Sequence, residues 1–340
     1  MGPLQPLKII RTSIIPFGLD FIRPFSFAGN TLCERVGYYF EVVATNGLTA
    51  RGEIAPLPGL SVETLKKAKH DLEEASGTYV SIEVPVEKKV LFEKLRDEPL
   101  MQDCCSSVKF GIESALISLA AQARGMALNV FLEGNVLEAQ SAYLLQGTHE
   151  QILADARQAM DLGFKVFKLK VGNRNIPFDV KNVQDLRALV GKNLVLRLDA
   201  NRSWDITEAV LFVECVGLDN IEYIEEPVNN MDRLGEYYHA THMPVALDET
   251  LNVLRCDVNA PGRCMPTLAK QDGVQAYVIK PMVLGGVIKS LDWIEEARQN
   301  KKKAIISSCF ETPVGFDMVK ALASLSDQVA GLGTQRFYEQ

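Results

Sequence analysis

Alternation of apolar and polar residues dominates the first hundred positions. LKIIRTSIIPF and GYYFEVVATNGLTARGEIAPL alternate in this way, as strands with one buried face do, and the second contains Asn-Gly, a strong signal for a hairpin turn. SVETLKKAKHDLEEASG has apolar residues at helical spacing, with Ser61, Glu63 and Thr64 near its start and a glycine just beyond its end. The pattern predicts an antiparallel sheet and a helix, an α+β domain over residues 1–100.

Later segments alternate between strand length and helix length. A long helix is predicted in SSVKFGIESALISLAAQARG, which begins soon after Cys104 and ends at Gly125. After it, eight short apolar runs alternate with helical segments, if the first run is Ser141–Gln146 and the last is Val329–Gly331. Repeated strand–helix alternation indicates a parallel sheet.

Chain length limits the architectures that fit this alternation. A chain of 340 residues accommodates a barrel of roughly 250 residues with a smaller domain attached. The predicted fold class is therefore α/β, a modified (β/α)8 TIM-type barrel with an N-terminal α+β capping domain. We assign the barrel to residues 101–330, and residues 331–340 to a tail that returns to the cap.

Charged residues end five of the short apolar runs at nearly one spacing. Successive positions are 23 to 32 residues apart, about the length of one strand, one helix and two loops. In a closed parallel barrel the C-terminal strand ends meet on one face, so these charges are predicted to form one active site. The runs are KVFKLKVG with Lys168 and Lys170, LVLRLDAN with Asp199, IEYIEEP with Glu225 and Glu226, PVALDET with Asp248, and QAYVIKP with Lys280.

Three carboxylates in this set suit a hard divalent cation. Asp199, Glu225 and Asp248 would supply oxygen ligands to Mg²⁺ and leave positions for water and a substrate carboxylate. Each alone would more often be a helix cap or a surface ion pair, and only their convergence favours the metal. Strand alternation places Glu225 and Glu226 on opposite faces without telling which faces inward, and Asp248 and Glu249 pose the same ambiguity.

Lysines flank the carboxylates. Lys168 and Lys170 are two residues apart on a strand and so face the same side, where mutual repulsion and a nearby cation favour a neutral amine that can act as a base. Lys280 ends an otherwise apolar strand, and it faces either a carboxylate or a substrate. Ser307 and Ser308 end the seventh barrel strand, where hydroxyls and backbone amides can hold an anion.

Two N-terminal segments are predicted to close over the barrel mouth. Residues 24–35 and 56–61 contain glycines and apolar side chains suited to a lid that excludes water, although ordinary hairpin loops are an equal alternative.

Composition limits the classes of binding partner and the cellular compartment that we expect. A net charge of −7 without a long basic run argues against nucleic acid, and no apolar stretch reaches the roughly 18 residues of a membrane span. Seven cysteines without a CxxC pair, and no secretion signal at the N-terminus, indicate a cytoplasmic protein with free thiols. Cys309 is interpreted as a packing residue, because no histidine lies near it in sequence. The expected partner is a small carboxylate, and no oligomeric state is specified.

The motifs KLK, LDAN, EEP, LDE and IKP, in this order and spacing, resemble the enolase superfamily, in particular the muconate lactonizing enzyme subgroup, over about residues 140–335. The resemblance implies that Asp199, Glu225 and Asp248 bind Mg²⁺. It also implies that Lys170 is the base on one face of the substrate, that Lys280 lies opposite, and that Lys168 belongs to the catalytic set. The choice of Glu225 over Glu226 comes from this resemblance alone.

Finer motifs resemble the o-succinylbenzoate synthase family within that superfamily. They are GEIAPLPGLSVET, LDANRSW, VIKP, ISSCFETPVG and GLGT, and they span both predicted domains. The resemblance implies a lyase of menaquinone biosynthesis that removes water from 2-succinyl-6-hydroxy-2,4-cyclohexadiene-1-carboxylate through an enediolate. The predicted substrate contacts are Ser307, Ser308, Gly331, Asn201 and Arg197.

Two alternatives remain at this stage. Racemisation of an N-acylamino acid shares the enolization step, so motifs do not separate it from dehydration. A barrel that binds a ligand without catalysis is disfavoured, because all five charged positions are present. Dipeptide epimerases are expected to carry an acidic pair in the last strand region, which GLGT lacks, and mandelate racemase relatives use a histidine base, which is missing near the seventh strand.

Overall fold

The computed structural model describes residues 5–27, 30–135, 139–172, 175–253 and 271–338. Its N-terminal sheet is antiparallel, with the strand order β3-β2-β1-β4. The strands are β1 (Leu7–Phe27), β2 (Asn30–Ala44), β3 (Thr49–Ile54) and β4 (Glu83–Val84). The hairpin predicted at Asn-Gly is confirmed: Gly47 has φ +84° between β2 and β3, and Leu48 N donates to Asn46 Oδ1 at 3.1 Å.

Four helices accompany this sheet: α1 (Leu65–Ser76), α2 (Lys88–Asp97), α3 (Pro99–Asp103) and α4 (Ser106–Ala123). Helix α1 begins where predicted, because the Thr64 side chain accepts a hydrogen bond from Lys67 N and supplies an N-cap. The long helix α4 packs on β3, and it also contacts the barrel helices. We call β1–β4 with α1–α4 the N-terminal unit.

Seven short parallel strands form the second sheet, in the order β11-β10-β9-β8-β7-β6-β5. Their bounds are β5 (Tyr143–Leu145), β6 (Val166–Lys170), β7 (Val195–Asp199), β8 (Ile221–Glu225), β9 (Val245–Leu247), β10 (Val274–Ile279) and β11 (Lys303–Ile306). The predicted eighth strand is two isolated bridges, in which Ala330 pairs with Ser141 and Gly331 with Ser307. These bridges join the two edges of the sheet and close the barrel.

The remaining helices belong to the barrel part of the chain; the first of them precedes β5 and the others follow barrel strands. They are α5 (Leu128–Phe131), α6 (His149–Asp161), α7 (Ile176–Val190), α8 (Ile206–Val216), α9 (Leu234–Thr241), α10 (Glu249–Val253), α11 (Pro281–Leu284), α12 (Gly286–Gln299) and α13 (Pro313–Ala323). One large apolar core runs through the N-terminal unit and the barrel. The domain boundaries placed at residues 100 and 330 stay predictions.

The first of the two segments predicted to form a lid has a different structure from the one expected. Residues 24–27 and 30–35 are not a loop, because they lie in β1 and β2, which pair as far as Phe27 with Asn30; residues 28 and 29 lie outside the described residues. Residues 56–61 form a turn whose Leu57 and Leu60 are buried. At the chain end, Tyr338 forms an antiparallel bridge with Phe21 of β1. Among the described residues, none of the helices is both long and apolar enough to span a bilayer.

Replacing Gly52 with alanine should destabilise the protein. A Cβ at Gly52 would overlap the carbonyl oxygen of Gly111 in α4, and backbone atoms cannot move aside as a flexible side chain can. Overpacking of this kind costs about 1–3 kcal/mol, so thermal melting should show a Tm lower by several degrees. The control is Gly235→Ala in α9, where the space is open and alanine favours the helix, so Tm should hold or rise. An unchanged Tm for Gly52→Ala would contradict the close approach of β3 and α4.

Candidate active site

Adjacent strand ends bring the predicted charges together. Lys170 of β6 pairs in register with Asp199 of β7, and Asp199 pairs with Glu225 of β8. Asp248 follows β9 and Lys280 follows β10. The parallel register therefore places all of these residues at one mouth of the barrel, as the sequence spacing predicted.

Two lysines form ion pairs with the three buried carboxylates. Lys168 Nζ lies 2.6 Å from Glu225 Oε2 and 3.0 Å from Asp199 Oδ2. Lys280 Nζ forms an ion pair with Asp248 Oδ2. The three carboxylates are at most 3% exposed, so each needs a cation in contact, because water cannot solvate it.

The carboxylates keep a second oxygen on which a metal could bind. The lysines contact Asp199 Oδ2, Glu225 Oε2 and Asp248 Oδ2, which leaves the other oxygen of each group outside these ion pairs. Asn201 N donates to Asp199 Oδ1 at 3.2 Å. As the side chains stand, no three His, Cys, Asp or Glu residues in the described ranges surround one point as a metal would require. Three buried carboxylate donors nevertheless suit the chemistry of a hard divalent cation.

The two lysines of the KLK motif differ in acidity. Burial lowers the pKa of Lys170, and the positive charges of Lys168 and Lys280 lower it further. For Lys168, burial also acts to lower the pKa, but Asp199, Glu225 and Asp248 outweigh it and raise the pKa well above its ordinary value. The expectation of a neutral amine is therefore wrong for Lys168, because its carboxylate contacts outweigh its repulsion from the neighbouring lysine.

The carboxylates and Lys280 respond to the same charges. Burial, with repulsion from Asp199 and Asp248, raises the pKa of Glu225 to about 7 despite the Lys168 contact. The lysines hold the pKa of Asp199 below its ordinary value, although its burial acts in the opposite direction. Burial would lower the pKa of Lys280, but Asp248 raises it above its ordinary range, so Lys280 is an ammonium.

A hydrogen-bond chain fixes Lys170. Its Nζ donates to Asn201 Oδ1 at 3.0 Å, and Asn201 Nδ2 donates to Glu249 Oε1 at 3.0 Å. Burial and the nearby Asp248 raise the pKa of Glu249 to about 7. Asn201 therefore contacts the lysine that the motif resemblance names as the base, and its role as a substrate contact stays a prediction.

Glu226 does not contact Lys168 as Glu225 does; it holds the loop after β9 by hydrogen bonds. Its Oε1 accepts from Asp248 N at 2.8 Å and Thr250 N at 2.7 Å, and its Oε2 accepts from Arg202 Nε at 3.0 Å. These bonds tie the loop that carries Asp248 to the end of β8. Glu225, and not Glu226, is the member of the pair that contacts Lys168.

Ser307, Ser308 and Gly331 line the opposite wall. Ser308 Oγ lies 2.6 Å from Thr334 Oγ1 and 2.5 Å from Glu311 Oε2, and Ser308 N donates to Gly331 O at 3.0 Å. The side chain of Ser307 bonds weakly to Gly331 O, at 3.4 Å. Both serines line the same small cavity as the lysines.

The guanidinium of Arg197 contacts a carboxylate, a backbone carbonyl and an aromatic ring. Arg197 is buried; its Nε is 2.6 Å from Glu222 Oε2, its Nη1 donates to Val329 O, and its Cζ lies 5.3 Å from the centre of the Tyr223 ring. It does not line the cavity that Lys168 and Lys170 line. The predicted contact between Arg197 and substrate stays a prediction, and the structure gives the side chain three other partners.

The cavity at the charged mouth has a volume of about 70 Å³. It is lined by Lys168, Lys170, Asp199, Lys280, Ser307, Ser308, Gly331, Gly333 and Thr334 with Ala142, Leu144 and Phe310. A larger cavity of about 900 Å³ lies between β3, α4 and α13. We assign the site to the smaller cavity, because only there do the lysines and Asp199 converge.

An apolar cluster adjoins this cavity. It consists of buried side chains from β1, the 56–61 turn, the segments after β10 and β11, and the chain end: Phe21, Leu57, Leu60, Val283, Cys309, Phe310, Phe337 and Tyr338. Cys309 is 1% exposed and burial raises the pKa of its thiol well above the ordinary value, which agrees with a packing role. Sequence reasoning missed Leu144, Phe310 and Thr334 as cavity residues. Phe310 and Thr334 lie just beyond predicted strand ends, and Leu144 lies within the predicted first strand, so position was the only signal the sequence offered.

Two family models match the chain. The model described as Enolase C-terminal domain-like matches residues 151–332, more than half of the chain, and the model described as MenC, N-terminal domain matches residues 16–119. The o-succinylbenzoate synthase of Aliivibrio fischeri (strain MJ11) is 32% identical over 309 residues, which cover 89% of this chain and 83% of that protein. The chain belongs to the o-succinylbenzoate synthase family. The resemblance found in the motifs is thereby confirmed.

Solved structures of other enolase-superfamily enzymes share the fold of this o-succinylbenzoate synthase family member. A dipeptide epimerase from Enterococcus faecalis, complexed with Mg and L-Leu-L-Tyr, has a TM-score of 0.84 at 22% identity and covers 98% of this chain and 92% of its own. An N-succinyl Arg/Lys racemase from Bacillus cereus has a TM-score of 0.83 at 20% identity and covers 97% of this chain and 88% of its own. These similarities confirm the predicted fold class.

Proposed function

We propose that the chain is a cytoplasmic, Mg²⁺-dependent carbon–oxygen lyase. It converts 2-succinyl-6-hydroxy-2,4-cyclohexadiene-1-carboxylate to o-succinylbenzoate in menaquinone biosynthesis. One observation carries the proposal: Lys170 and Lys280 end strands separated by β7, β8 and β9, so they lie on opposite sides of a mouth that holds three buried carboxylates. Membership in the o-succinylbenzoate synthase family supports the choice of substrate.

Lys170 is the base in this proposal. Its lowered pKa makes the neutral amine more accessible, and its bond to Asn201 fixes Nζ at the cavity wall. Nζ takes the proton from the carbon next to the substrate carboxylate, and the electron pair of that C–H bond moves toward the carboxylate. The ammonium so formed then gives its proton to the hydroxyl group on the same face. The C–O bond breaks, water leaves, and the ring becomes aromatic.

Lys280 stabilises charge from the other side. Its pairing with Asp248 keeps it protonated, so it offers an ammonium and not a second base. Asp199, Glu225 and Asp248 would hold Mg²⁺, and the bound cation supplies positive charge where the enediolate develops. Lys168 keeps two of these carboxylates partly neutralised and in place.

The second candidate is racemisation of an N-acylamino acid. The fold shared with an N-succinyl Arg/Lys racemase and the opposed lysines support it. Racemisation requires Lys280 to exchange a proton as readily as Lys170. Lys280 is ion-paired with Asp248 whereas Lys170 bonds to the neutral amide of Asn201, and this asymmetry favours dehydration.

Asp199→Asn should weaken Mg²⁺ binding and abolish turnover while the protein stays folded, because a neutral amide replaces one anionic ligand. Calorimetric titration with Mg²⁺ and the rate of o-succinylbenzoate formation measure the two effects. Asp205→Asn is the matched control, since Asp205 caps α8 at the surface and should leave Mg²⁺ affinity unchanged. Full activity of the chelator-treated protein would contradict the metal assignment.

Lys170→Ala should lose both dehydration and exchange of the substrate α-proton into deuterated water. General base catalysis typically contributes about 10²–10⁴-fold, so the loss should reach at least this range. Lys181→Ala, which removes an exposed lysine of α7, should behave as the wild type. Nearly normal exchange by Lys170→Ala, alongside an inactive Lys168→Ala, would move the base to Lys168.

The succinyl cyclohexadiene carboxylate should be dehydrated far faster than any dipeptide is epimerised. The Ser307 hydroxyl, which bonds only weakly to Gly331 O at 3.4 Å, can turn to donate to a carboxylate. An ammonium group would need acidic partners, which residues 329–335 lack. The measurement compares kcat/KM for the three substrate classes on one preparation, and N-succinylamino acids should be slow. Equal or greater efficiency in racemising N-succinylamino acids would favour the second candidate.

A further inference from the structure

Two buried glutamates of the N-terminal unit have side chains that reach the starts of barrel helices. Glu53 lies in β3 and Glu113 in α4, and they are at most 4% exposed. Each directs a carboxylate oxygen at the first turn of a helix that belongs to the barrel. The first backbone amides of a helix have no partner within the helix, so a carboxylate that accepts from them acts as an N-cap supplied from another part of the chain.

Glu53 caps α13. Its Oε2 accepts from Thr312 N at 2.8 Å, from Gly315 N at 3.1 Å and from Thr312 Oγ1 at 2.6 Å. Thr312 occupies the N-cap position of α13, yet its own side chain makes no cap hydrogen bond. The Glu53 carboxylate therefore supplies the N-cap hydrogen bonds that the Thr312 side chain would ordinarily supply.

Glu113 caps α12 in the same manner. Its Oε2 accepts from Ile288 N at 3.0 Å, and the preceding amide of Val287 also bonds to the carboxylate. The residue before α12 is Gly285, which has no side chain to supply a cap. The helix thus depends on a side chain 175 positions away in sequence.

A glycine makes room for each carboxylate. A Cβ on Gly315 would lie 2.7 Å from Glu53 Oε2, and a Cβ on Gly286 would overlap Glu113 Oε2. Gly286 also has φ +100°, which side chains rarely adopt. Both helix starts are therefore shaped to accept the carboxylate.

The two capped helices follow the segments that carry site residues. The segment from Lys280 through α11 leads into α12, and the segment with Ser307, Ser308 and Phe310 leads into α13. Arg35 of β2 links the same regions, because its Nε donates to Phe310 O at 3.2 Å and its Nη2 lies 3.5 Å from Met282 Sδ. The N-terminal unit thus holds both segments at their far ends.

We propose that Glu53 and Glu113 are positioning residues that set the active-site segments from the N-terminal unit. Glu113 fixes the segment that presents the Lys280 ammonium, and Glu53 fixes the segment that presents Ser307 and Ser308. The catalytic part of this inference rests on the proposed function. Burial raises the pKa of both glutamates to about 8, and the accepting oxygen that forms the cap is also present in glutamine.

The test compares Glu53→Ala and Glu113→Ala with Glu63→Ala. Glu63 is the matched control, because its Oε1 accepts from Ser107 N at 2.9 Å and so caps α4 inside the N-terminal unit. We expect kcat/KM to fall about tenfold in the first two variants. A lost helix cap costs about 1 kcal/mol, and a loss of this size in the transition state lowers the rate by about that factor. The loss should lie mainly in KM for Glu53→Ala and mainly in kcat for Glu113→Ala. Glu53→Gln and Glu113→Gln should recover most of it, and Glu63→Ala should keep both constants.

Hydrogen–deuterium exchange gives a readout that needs no turnover. Exchange should rise at residues 307–315 in Glu53→Ala and at residues 281–288 in Glu113→Ala, and at neither in Glu63→Ala. If the wild type forms no o-succinylbenzoate, the proposed function fails while this exchange pattern still reports the coupling. Unchanged kcat and KM in the folded alanine variants, or equal losses in Glu63→Ala, would overturn the proposal. If an alanine variant does not fold, Glu53→Asp and Glu113→Asp, which shorten the reach, replace it under the same criteria.

Discussion

The contact of Lys168 with Asp199 and Glu225 is the interaction on which the rest of the site depends. Two carboxylates at adjacent strand ends, both buried, repel each other and cannot be solvated. The Lys168 ammonium, 3.0 Å from one and 2.6 Å from the other, offsets that cost and leaves one oxygen of each group for a second cation. The same charges raise the pKa of Lys168 and leave Lys170, bonded to a neutral amide, with a lowered pKa. One motif therefore yields a structural cation and a candidate base.

The barrel and the N-terminal unit contribute different constraints to this site. Strand register fixes Lys170, Asp199 and Glu225 directly, because they lie on paired strands. Lys280, Ser307 and Ser308 lie just beyond the ends of β10 and β11, where the loops begin. The helices that follow these loops are capped by Glu53 and Glu113, and the apolar cluster around Phe310 joins the loops to β1 and the chain end. The N-terminal unit thus supports the wall of the site that the strand register does not fix directly.

Sequence could predict what depends on local pattern and strand register. The spacing of charges placed Asp199, Glu225, Asp248 and the lysines at one mouth. Alternation could not choose between Glu225 and Glu226, because it does not tell which face points inward. In the structure β8 ends at Glu225, and Glu226 leaves strand geometry with φ +44°. The acidity of Lys168 depends on contacts across strands, and the partner of Arg197 follows from an irregular register between β7 and β8 that brings in Glu222. The caps by Glu53 and Glu113 join residues 259 and 175 positions apart, which no local pattern encodes.

A crystal structure of the protein with saturating Mg²⁺ tests the central claim most directly. The account predicts one ion bonded to Asp199, Glu225 and Asp248 through the oxygens that the lysines leave free. Lys168 Nζ should stay in contact with Asp199 and Glu225, and Lys280 Nζ with Asp248. An ion bound elsewhere, or a mouth that excludes Mg²⁺ while Lys168 and Lys280 fully occupy the carboxylates, would contradict it.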